Sequence, residues 1–344
     1  MSLTTLWFII IAVLWVGFFV LEGFDMGVGM LHGVIARTEE ERRAAINSIG
    51  PFWDANEVWL IVAAAGMFAA FPGWYATMFS GFYLLMVIIL AGLIARGVSF
   101  EFRGKVKSRR WARGWDVAMA VGSFLVAFGL GIALANLLHG VPVGSNQEYT
   151  GSFWDLVHPY ALFTGLTIVL LCLVHGSTFL ALRTEGDLRE RASRWAAVLA
   201  PLTAVVLAIW VVWTHASQDK GFFPTPIEAS TVLAIIAVAW LANERVEGWA
   251  FAATTVSIAG MIGSIFVNLY PDVLVSSTNS SYSLTVTNTA SGSYALKLMT
   301  IVALILLPVV LAYQAWSYRV FHRRVSAAHF APPATSDAPA APAP

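Results

Sequence analysis

Nine apolar runs, most of them about twenty residues or longer, dominate this sequence. They lie at residues 5–35, 51–71, 75–96, 115–138, 159–182, 195–215, 227–243, 249–270 and 296–320. Because a helix rises about 1.5 Å per residue, about 20 residues cross the hydrocarbon core of a bilayer. The runs are continuously apolar, whereas the strands of a membrane barrel would alternate. The sequence therefore predicts an all-α, polytopic membrane protein with nine transmembrane helices.

Composition and cysteine content exclude several other classes. The chain has 344 residues, of which 58% are hydrophobic and only 12% charged, and this excludes a soluble domain of this size. The formal net charge is zero, which gives no support to nucleic-acid binding. The single cysteine, Cys172, excludes an internal disulfide, a cysteine metal cluster and covalent haem attachment. The first apolar run is far longer than a signal-peptide core and is interpreted as a retained helix.

The distribution of the 20 Lys and Arg residues predicts the orientation of the chain. Eighteen of them fall in or beside the loops after the odd-numbered runs and at the C-terminal end; only Lys220 and Lys297 fall on the other side. Cytoplasmic loops of membrane proteins carry the excess of cations. The sequence therefore predicts an outside N-terminus and a cytoplasmic C-terminus, and the asymmetry supports the count of nine spans.

A weak similarity between two segments of the chain predicts how the nine helices are grouped. The segment from Gly27 to Arg37 in the first run resembles the segment from Gly176 to Arg183 in the fifth. This indicates two four-helix bundles plus one extra helix. The outer loop 271–294 alternates at period two over 281–287, as in a short strand or an extended cover. The Ala/Pro-rich tail 325–344 is predicted to be disordered, which leaves 1–324 as a single membrane domain.

Two motifs place carboxylates within the predicted membrane helices: LEGFDMG at 21–27 and WDANEVW at 53–59. Acids in a membrane helix cost a few kcal/mol, face an interior or a wet cavity, and are functional candidates by default. Glu22 and Asp25 are three residues apart, as are Asp54 and Glu57, so each pair is predicted to share a helix face. The orientation places both pairs towards the cytoplasmic side.

Two further charges are predicted to lie at the same depth. Arg96 lies at the inner end of the third run, and Asp116 lies in the first turn of the fourth. A structural interpretation remains open for several of these groups. A helix dipole favours an acid in a first turn, as at Asp54 and Asp116, and Arg96 could neutralise Asp25 in a buried pair.

The functional interpretation is proton uptake from the cytoplasm. Carboxylates at a wet membrane entry can load protons. Asn56 could hold water between them, while Trp53 and Trp59 would frame the opening or serve as belt residues. His32 and His175 lie inside runs, whereas the other five histidines lie at span ends, in loops or in the tail. Each of the two is interpreted as a satisfied polar residue in preference to a haem ligand. No metal-ligand motif is present in the sequence, so no metal site is predicted in this chain.

At these residues the chain resembles subunit II of the cytochrome bd-type quinol oxidases. Besides the two acid motifs and the Arg96 region, the matching stretches are GFDMGVGM (23–30), NSIGPF (47–52), FAAFPGWYATMFSGFY (68–83), GVP (140–142), LYPDVLVSS (269–277), SLTVTN (283–288), LKLMT (296–300) and AYQAW (312–316). One departure is Ala55, where the family usually has Gly.

The resemblance implies a two-subunit core in the bacterial cytoplasmic membrane, with small accessory subunits as further candidates. Subunit I would carry two haems b and one haem d, oxidise quinol and reduce O2 to water. The present chain would hold no haem, take no direct part in catalysis, support assembly and supply a proton route. By matching position, this route involves Asp25 and Asp54 with Trp53, Asn56 and Glu57 beside them. Arg96 and Asp116 match polar positions, and a structural quinone or lipid could fill the subunit.

Two other hypotheses remain from the sequence. A proton-coupled transporter would use the same acids as its relay, but would favour broken helices and a site near the bilayer midplane. A purely structural scaffold would tolerate neutralisation of the acids. These alternatives differ from the oxidase subunit in what Asp25 and Asp54 are expected to do.

Overall fold

The computed structural model describes residues 2–218 and 224–331, and within them the chain forms eleven α-helices. These are α1 (Leu3–Ile35), α2 (Glu39–Ile49), α3 (Trp53–Ala70), α4 (Pro72–Gly81), α5 (Tyr83–Phe102), α6 (Arg109–His139), α7 (Pro159–Arg183), α8 (Gly186–Ser217), α9 (Pro226–Asn243), α10 (Glu247–Leu269) and α11 (Ser293–Val320). Short 3-10 turns lie at Phe153–Leu156, Ser280–Tyr282 and Ala327–Phe330. Most of the tail predicted to be disordered, residues 332–344, lies outside the described residues, as does Lys220.

Eight of the described helices are long and apolar enough to cross a membrane: α1 and α5 through α11. Each overlaps a predicted span, and the all-α membrane class is confirmed. The second predicted span corresponds to α3, which is not among the eight. Its first two turns carry Asp54, Asn56 and Glu57, which lower its apolar character. The count of nine spans therefore stays a prediction.

The third predicted span, 75–96, is wrong as a single helix. The chain breaks at Phe71, where Pro72 opens α4, and again at Phe82, where α5 begins. Proline suits the first turn of a helix because its missing N–H needs no partner there. At the second break, Gly81 lies against the Tyr149 ring, where a β-carbon would not fit. The apolar helix that can span is α5, which continues to Phe102.

The helices are grouped around α1. The second half forms a four-helix bundle, in which α7 packs on α8 and α10, and α9 packs on the same two helices. In the first half, α1 packs on α3 and α6, and α5 packs on α6. The two halves meet where α1 and α6 contact α7 and where α1 contacts α10. α11 packs mainly on α1 at the edge of the molecule and is largely exposed.

The crossing of α1 and α7 depends on two glycines. A β-carbon on Gly27 would collide with the carbonyl oxygen of Cys172, and one on Gly176 would lie 2.5 Å from the carbonyl carbon of Gly27. Small residues allow membrane helices to approach at backbone distance. This close approach places the acid motif of α1 in the centre of the molecule.

Arginine contacts bring several helix ends together at one end of the molecule, called here the basic end. It comprises the C-terminal ends of α1, α5, α7 and α11 and the N-terminal ends of α6, α8 and α10. The Nε of Arg191 at the start of α8 donates to the carbonyl of Ile35 over 2.8 Å, and Arg324 donates to the carbonyl of Thr184 over 3.2 Å. At the opposite end, Trp7 joins the first turns of α1 to α11. The start of α1 and the end of α11 therefore lie at opposite ends of the molecule.

The loop after α10 contains a short antiparallel pair of strands, β1 (Asp272–Leu274) and β2 (Leu284–Thr285), with Leu274 opposite Leu284. Of the two alternatives for 281–287, a short strand is confirmed at Leu284–Thr285, whereas Ser280–Tyr282 forms a 3-10 turn. The loop also contacts the chain after α6, because Val141 donates its N–H to the carbonyl of Val275 over 3.0 Å. It closes the end of the molecule opposite the basic end.

Candidate functional site

Asp25 lies on α1 and is fully buried, with Asn56 of α3 as its hydrogen-bond donor. The Nδ2 of Asn56 donates to Asp25 Oδ2 over 2.6 Å and to the carbonyl of Leu21 over 3.1 Å. The Oδ1 of Asn56 accepts from Gln314 Nε2 at 3.0 Å and from the Tyr318 hydroxyl at 3.3 Å. Donors on one side and acceptors on the other fix the orientation of the Asn56 amide.

Arg96 of α5 is also fully buried and forms ion pairs with two carboxylates. Its Nη1 pairs with Glu22 of α1, and it donates to Glu57 Oε1 of α3 over 2.8 Å. The alternative that Arg96 neutralises Asp25 is therefore wrong, because the described contacts direct the guanidinium to Glu22 and Glu57. Asp25 is left without a cationic partner among the described residues.

The cluster holds more acid than base. Of its three carboxyl groups, Glu22 and Glu57 pair with the single guanidinium of Arg96, whereas Asp25 is bound to Asn56. Electrical neutrality would therefore require protons on two of the three. Burying an uncompensated charge is expensive, so a buried site of this kind favours bound protons. Asp25 Oδ1, Glu22 Oε2 and the Nε and Nη2 of Arg96 are buried without a hydrogen-bond partner within the described chain. The unpartnered carboxyl oxygens are the atoms of the cluster that are free to accept a further hydrogen bond or a proton.

Asp54 does not join this buried cluster. It is exposed in the first turn of α3 and makes no hydrogen bond or ion pair within residues 2–218 and 224–331. Of the two acids predicted to share a face of α3, only Glu57 joins the buried group. With 21% of its side chain exposed, Glu57 lies between the buried acids and the surface. The α3 helix turns Asp54 outward because Asn56 faces α1.

The two tryptophans of the motif contact different neighbours. Trp53 stacks on Phe100 of α5, with ring centroids 4.6 Å apart. The Nε1 of Trp59 donates to Gln314 Oε1 of α11 over 3.5 Å. They therefore lie on opposite sides of α3, one against α5 and the other against α11.

Asp116 lies in a second charged cluster at the basic end. Its Oδ1 is 2.6 Å from Arg103 Nε and 3.2 Å from His32 Nε2. Arg103 also binds Glu39 through two hydrogen bonds of 2.7 and 3.0 Å. Arg103 follows Arg96 by two helical turns, so the second cluster lies about 10 Å further along α5. The prediction that Asp116 lies at the same depth as Arg96 and the acid motifs is therefore corrected: it lies in a separate cluster nearer the basic end.

Arg103 is held firmly in its charged form. Burial acts to lower the pKa of Arg103, but hydrogen bonds and attraction from Glu39 and Asp116 outweigh it and hold the pKa above its usual value. The cluster joins the ends of α1, α2, α5 and α6. These contacts agree with the structural interpretation of Asp116.

The two histidines singled out in the sequence, His32 and His175, are hydrogen-bonded at both ring nitrogens. His175 is fully buried, with Nδ1 2.6 Å from Thr254 Oγ1 and Nε2 3.0 Å from the carbonyl of Val20. His32 contacts the carbonyl of Gly29 at 2.8 Å as well as Asp116. Their interpretation as satisfied polar residues is confirmed. Within the described residues, no group of three or more His, Cys, Asp or Glu side chains is placed to hold a metal ion.

Sequence reasoning missed Gln314 and Tyr318 as members of the site. Both come from α11, which is otherwise largely exposed, and Tyr318 also stacks on Phe52 with ring centroids 4.5 Å apart. Their polar atoms within the last apolar run were a signal. The distance of about 260 residues along the chain from Asn56 concealed the contact.

An apolar cavity of about 540 Å³ lies between α1, α3 and α11. Its walls include Leu14 and Val62 on one side and Leu306 and Val310 on the other, while Trp59 and Gln314 give it a polar end. The cavity therefore runs along α3 from Gln314, which is hydrogen-bonded to Asn56. Its lining is almost entirely apolar.

Fold and site together define a polytopic α-helical membrane protein with a buried arginine–carboxylate cluster. The chain belongs to the family of cytochrome bd terminal oxidase subunit II, whose model matches residues 3–321. It is therefore a subunit of an oxidoreductase complex, and the expected multi-pass membrane protein of a bacterial family is confirmed.

Two curated relatives extend this similarity over almost the whole chain. The cytochrome bd ubiquinol oxidase subunit 2 of Bacillus subtilis is 44% identical over 329 residues, covering 94% of this chain and 97% of the relative. The cytochrome bd-I ubiquinol oxidase subunit 2 of Escherichia coli K12 is 36% identical over 360 residues, covering 93% and 94%. A solved chain of the bd oxidase from Geobacillus thermodenitrificans has the same fold, with a TM-score of 0.74 at 18% identity, covering 93% and 99%.

Proposed function

We propose that this chain is the haem-free subunit of a complex that oxidises quinol and reduces O2 to water. Its partner is subunit I, which carries haems b and d, and the present chain supports the assembly of that subunit. The relatives named as ubiquinol oxidase subunits support this proposal. The topology that goes with it has nine spans, an outside N-terminus and a cytoplasmic basic end, as the distribution of cations indicates.

The second part of the proposal is that the chain supplies a proton-input path from the cytoplasm. The observation that carries it is the state of Asp25: a buried carboxyl group without a cationic partner, whose Oδ1 has no hydrogen-bond partner within the described chain. Asn56 occupies Oδ2, so a proton binds at Oδ1. A buried acid that nothing neutralises within a helix interior is a strong candidate for proton handling.

The path begins at the surface of α3. Asp54 is exposed, Glu57 is partly exposed, and Arg96 links Glu57 to buried Glu22. Protons enter at Asp54, pass Glu57 and reach the cluster that contains Asp25. Asn56 holds Asp25 in position, while Trp53 and Trp59 flank α3 at the entrance. Asp116 contributes to the structure of the basic end.

A structural quinone or lipid fits the cavity between α1, α3 and α11. Its apolar walls would hold the chain of such a molecule, and the indole N–H of Trp59 and the amide of Gln314 would face its polar part. This occupant would connect the exposed α11 to the rest of the subunit.

The test is the replacement of Asp25 by Asn in the two-subunit complex, purified with its haems. We expect O2 consumption with quinol to fall on the order of a hundredfold, within the range that a positioned proton-transfer group contributes, with an unchanged haem spectrum. Asp25→Glu should retain part of the activity, and Asp54→Asn should lower it.

A matched control is Glu101→Gln, which neutralises an exposed acid at the end of α5 outside the path. Wild-type turnover with full haem content in both Asp25→Asn and Asp54→Asn would refute the proton path and favour the scaffold hypothesis. Membership of the oxidase family disfavours the proton-coupled transporter.

A further inference from the structure

Five cations crowd the corner between α5 and α6. Lys105, Lys107, Arg109, Arg110 and Arg113 are all exposed, and we call them the α5–α6 basic patch. None of them forms an ion pair within the described residues, whereas the neighbouring Arg103 is bound to two carboxylates. Glu101 is the one exposed acid in the stretch 101–115. The patch therefore carries a concentrated positive charge that the chain does not neutralise.

The backbone under the patch is held in place. Trp111 donates its indole N–H to the carbonyl of Phe102 over 2.7 Å, which ties the start of α6 to the end of α5. Ser108 caps α6 by accepting from the backbone N–H of Trp111 at 3.4 Å. The N-terminal end of a long helix adds positive potential at the same place. The cations are thus presented on an ordered corner.

An aromatic group borders the cations. The Trp115 ring lies 5.6 Å from Phe102 and 5.7 Å from Trp111, and both Phe102 and Trp111 are exposed. Indole rings beside cations at the ends of spanning helices are typical of the membrane–water interface. α5 and α6 are both long and apolar enough to span, so their shared corner lies at the level of the lipid headgroups.

We propose that the α5–α6 basic patch binds the headgroup of an anionic phospholipid in the leaflet at the basic end. The cations meet the phosphate, and the aromatic rings of Phe102, Trp111 and Trp115 contact the glycerol and upper acyl region. Charge complementarity favours an anionic ligand, and the exposed aromatic border favours a lipid over a soluble anion. This proposal does not depend on the proton path.

The test measures phosphatidylglycerol binding to the purified complex in neutral detergent by native mass spectrometry. Lys105→Gln with Lys107→Gln, and separately Arg109→Gln with Arg110→Gln, remove two charges each from the patch. We expect the dissociation constant for phosphatidylglycerol to rise on the order of tenfold in each double variant. Phosphatidylcholine should bind equally to all forms.

The matched control is Arg319→Gln with Arg323→Gln, which removes two exposed, unpaired cations from the same end outside the patch. An equal loss of binding in this control would mean that net charge alone matters and would overturn the proposal. Lys105→Arg with Lys107→Arg should bind as the wild type does, and an unchanged haem spectrum verifies folding. Competition by inorganic phosphate at equal concentration would identify a simple anion site and would also overturn it.

Discussion

The side-chain amide of Asn56 donates a hydrogen bond of 2.6 Å to the Asp25 carboxylate, and this contact joins α3 to α1 at the buried end of the acid motif. The other side of the same amide accepts from Gln314 and Tyr318 of α11. A single side chain therefore connects three helices. Its orientation leaves Asp25 Oδ1 without a hydrogen-bond partner among the described residues.

Replacing Asn56 by Leu should destabilise the complex by about 2–4 kcal/mol, because the Gln314 amide and Tyr318 hydroxyl would lose their acceptor in a buried site. Tyr318→Phe removes only the 3.3 Å bond and should cost about 0.5–1 kcal/mol. Thermal unfolding of the purified complex measures both. Equal losses in the two variants would show that Asn56 does not connect the helices as described.

Replacing Arg96 by Met should destabilise the chain by about 3–5 kcal/mol, because it leaves Glu22 charged and buried without its partner. The double variant Arg96→Met with Glu22→Gln should be more stable than Arg96→Met alone, since the unpaired charge is removed. The yield of assembled complex and its unfolding temperature provide the measurement. A double variant worse than Arg96→Met would contradict the pairing.

Gly27→Ala should disrupt assembly, since a β-carbon there would collide with the Cys172 carbonyl and push α1 away from α7. Overpacking of this kind costs about 1–3 kcal/mol or more. Gly33→Ala on the same helix is the control: it meets no atom within 4 Å and should be neutral or slightly stabilising. Similar behaviour of both variants in thermal unfolding would argue against the close crossing.

The lowered pKa of Glu41 in α2 leads us to expect that stability depends on pH. Burial acts to raise the pKa of Glu41, but hydrogen bonds from Arg191 and from the N–H of Arg37 outweigh it and hold the pKa below the usual 4.5. A lowered carboxyl pKa means that the folded state binds fewer protons, so the stability is present above pH 4.5 and is lost as the pH falls through the folded-state pKa. Acid unfolding of the complex should start at lower pH in the wild type than in Arg191→Met.

The control for this prediction is Glu41→Gln. It should be less stable than the wild type at pH 7 and should lose less additional stability between pH 5 and pH 3. An identical acid transition in the wild type and in Glu41→Gln would show that Glu41 contributes nothing to it.

The positions of the long helices could be predicted from the sequence because a helix that crosses the bilayer needs a continuous apolar run of matching length. The runs 159–182 and 249–270 coincide closely with α7 and α10. The break of the run 75–96 at Phe82 was not predicted. Beside this break, Gly81 packs against the ring of Tyr149, a residue far along the chain. Local pattern carries no information about such a contact.

Most residues of the site could be predicted from the sequence, but not which of them contact each other. Glu22, Asp25 and Arg96 stand out in the sequence because charge in an apolar helix is rare. The partner of Arg96 was not determined, because Glu22 and Asp25 are separated by one turn, and the rotation of α1 against α5 decides which of them meets the guanidinium. Gln314 and Tyr318 entered the site only through the packing of α11 on α1.

The sequence by itself determined that this chain is an all-α membrane protein with acids and an arginine buried among apolar helices. The reason is that each side chain facing lipid must be apolar, so long apolar runs and the charges within them are visible residue by residue. Only the tertiary structure decided that Asp54 faces outward, that Asp116 belongs to a separate cluster and that Asp25 has Asn56 instead of Arg96 as its partner. Those outcomes depend on the rotation and crossing of helices, set by contacts such as Gly27 against Gly176. Such contacts join residues far apart in the chain, so no local pattern contains them.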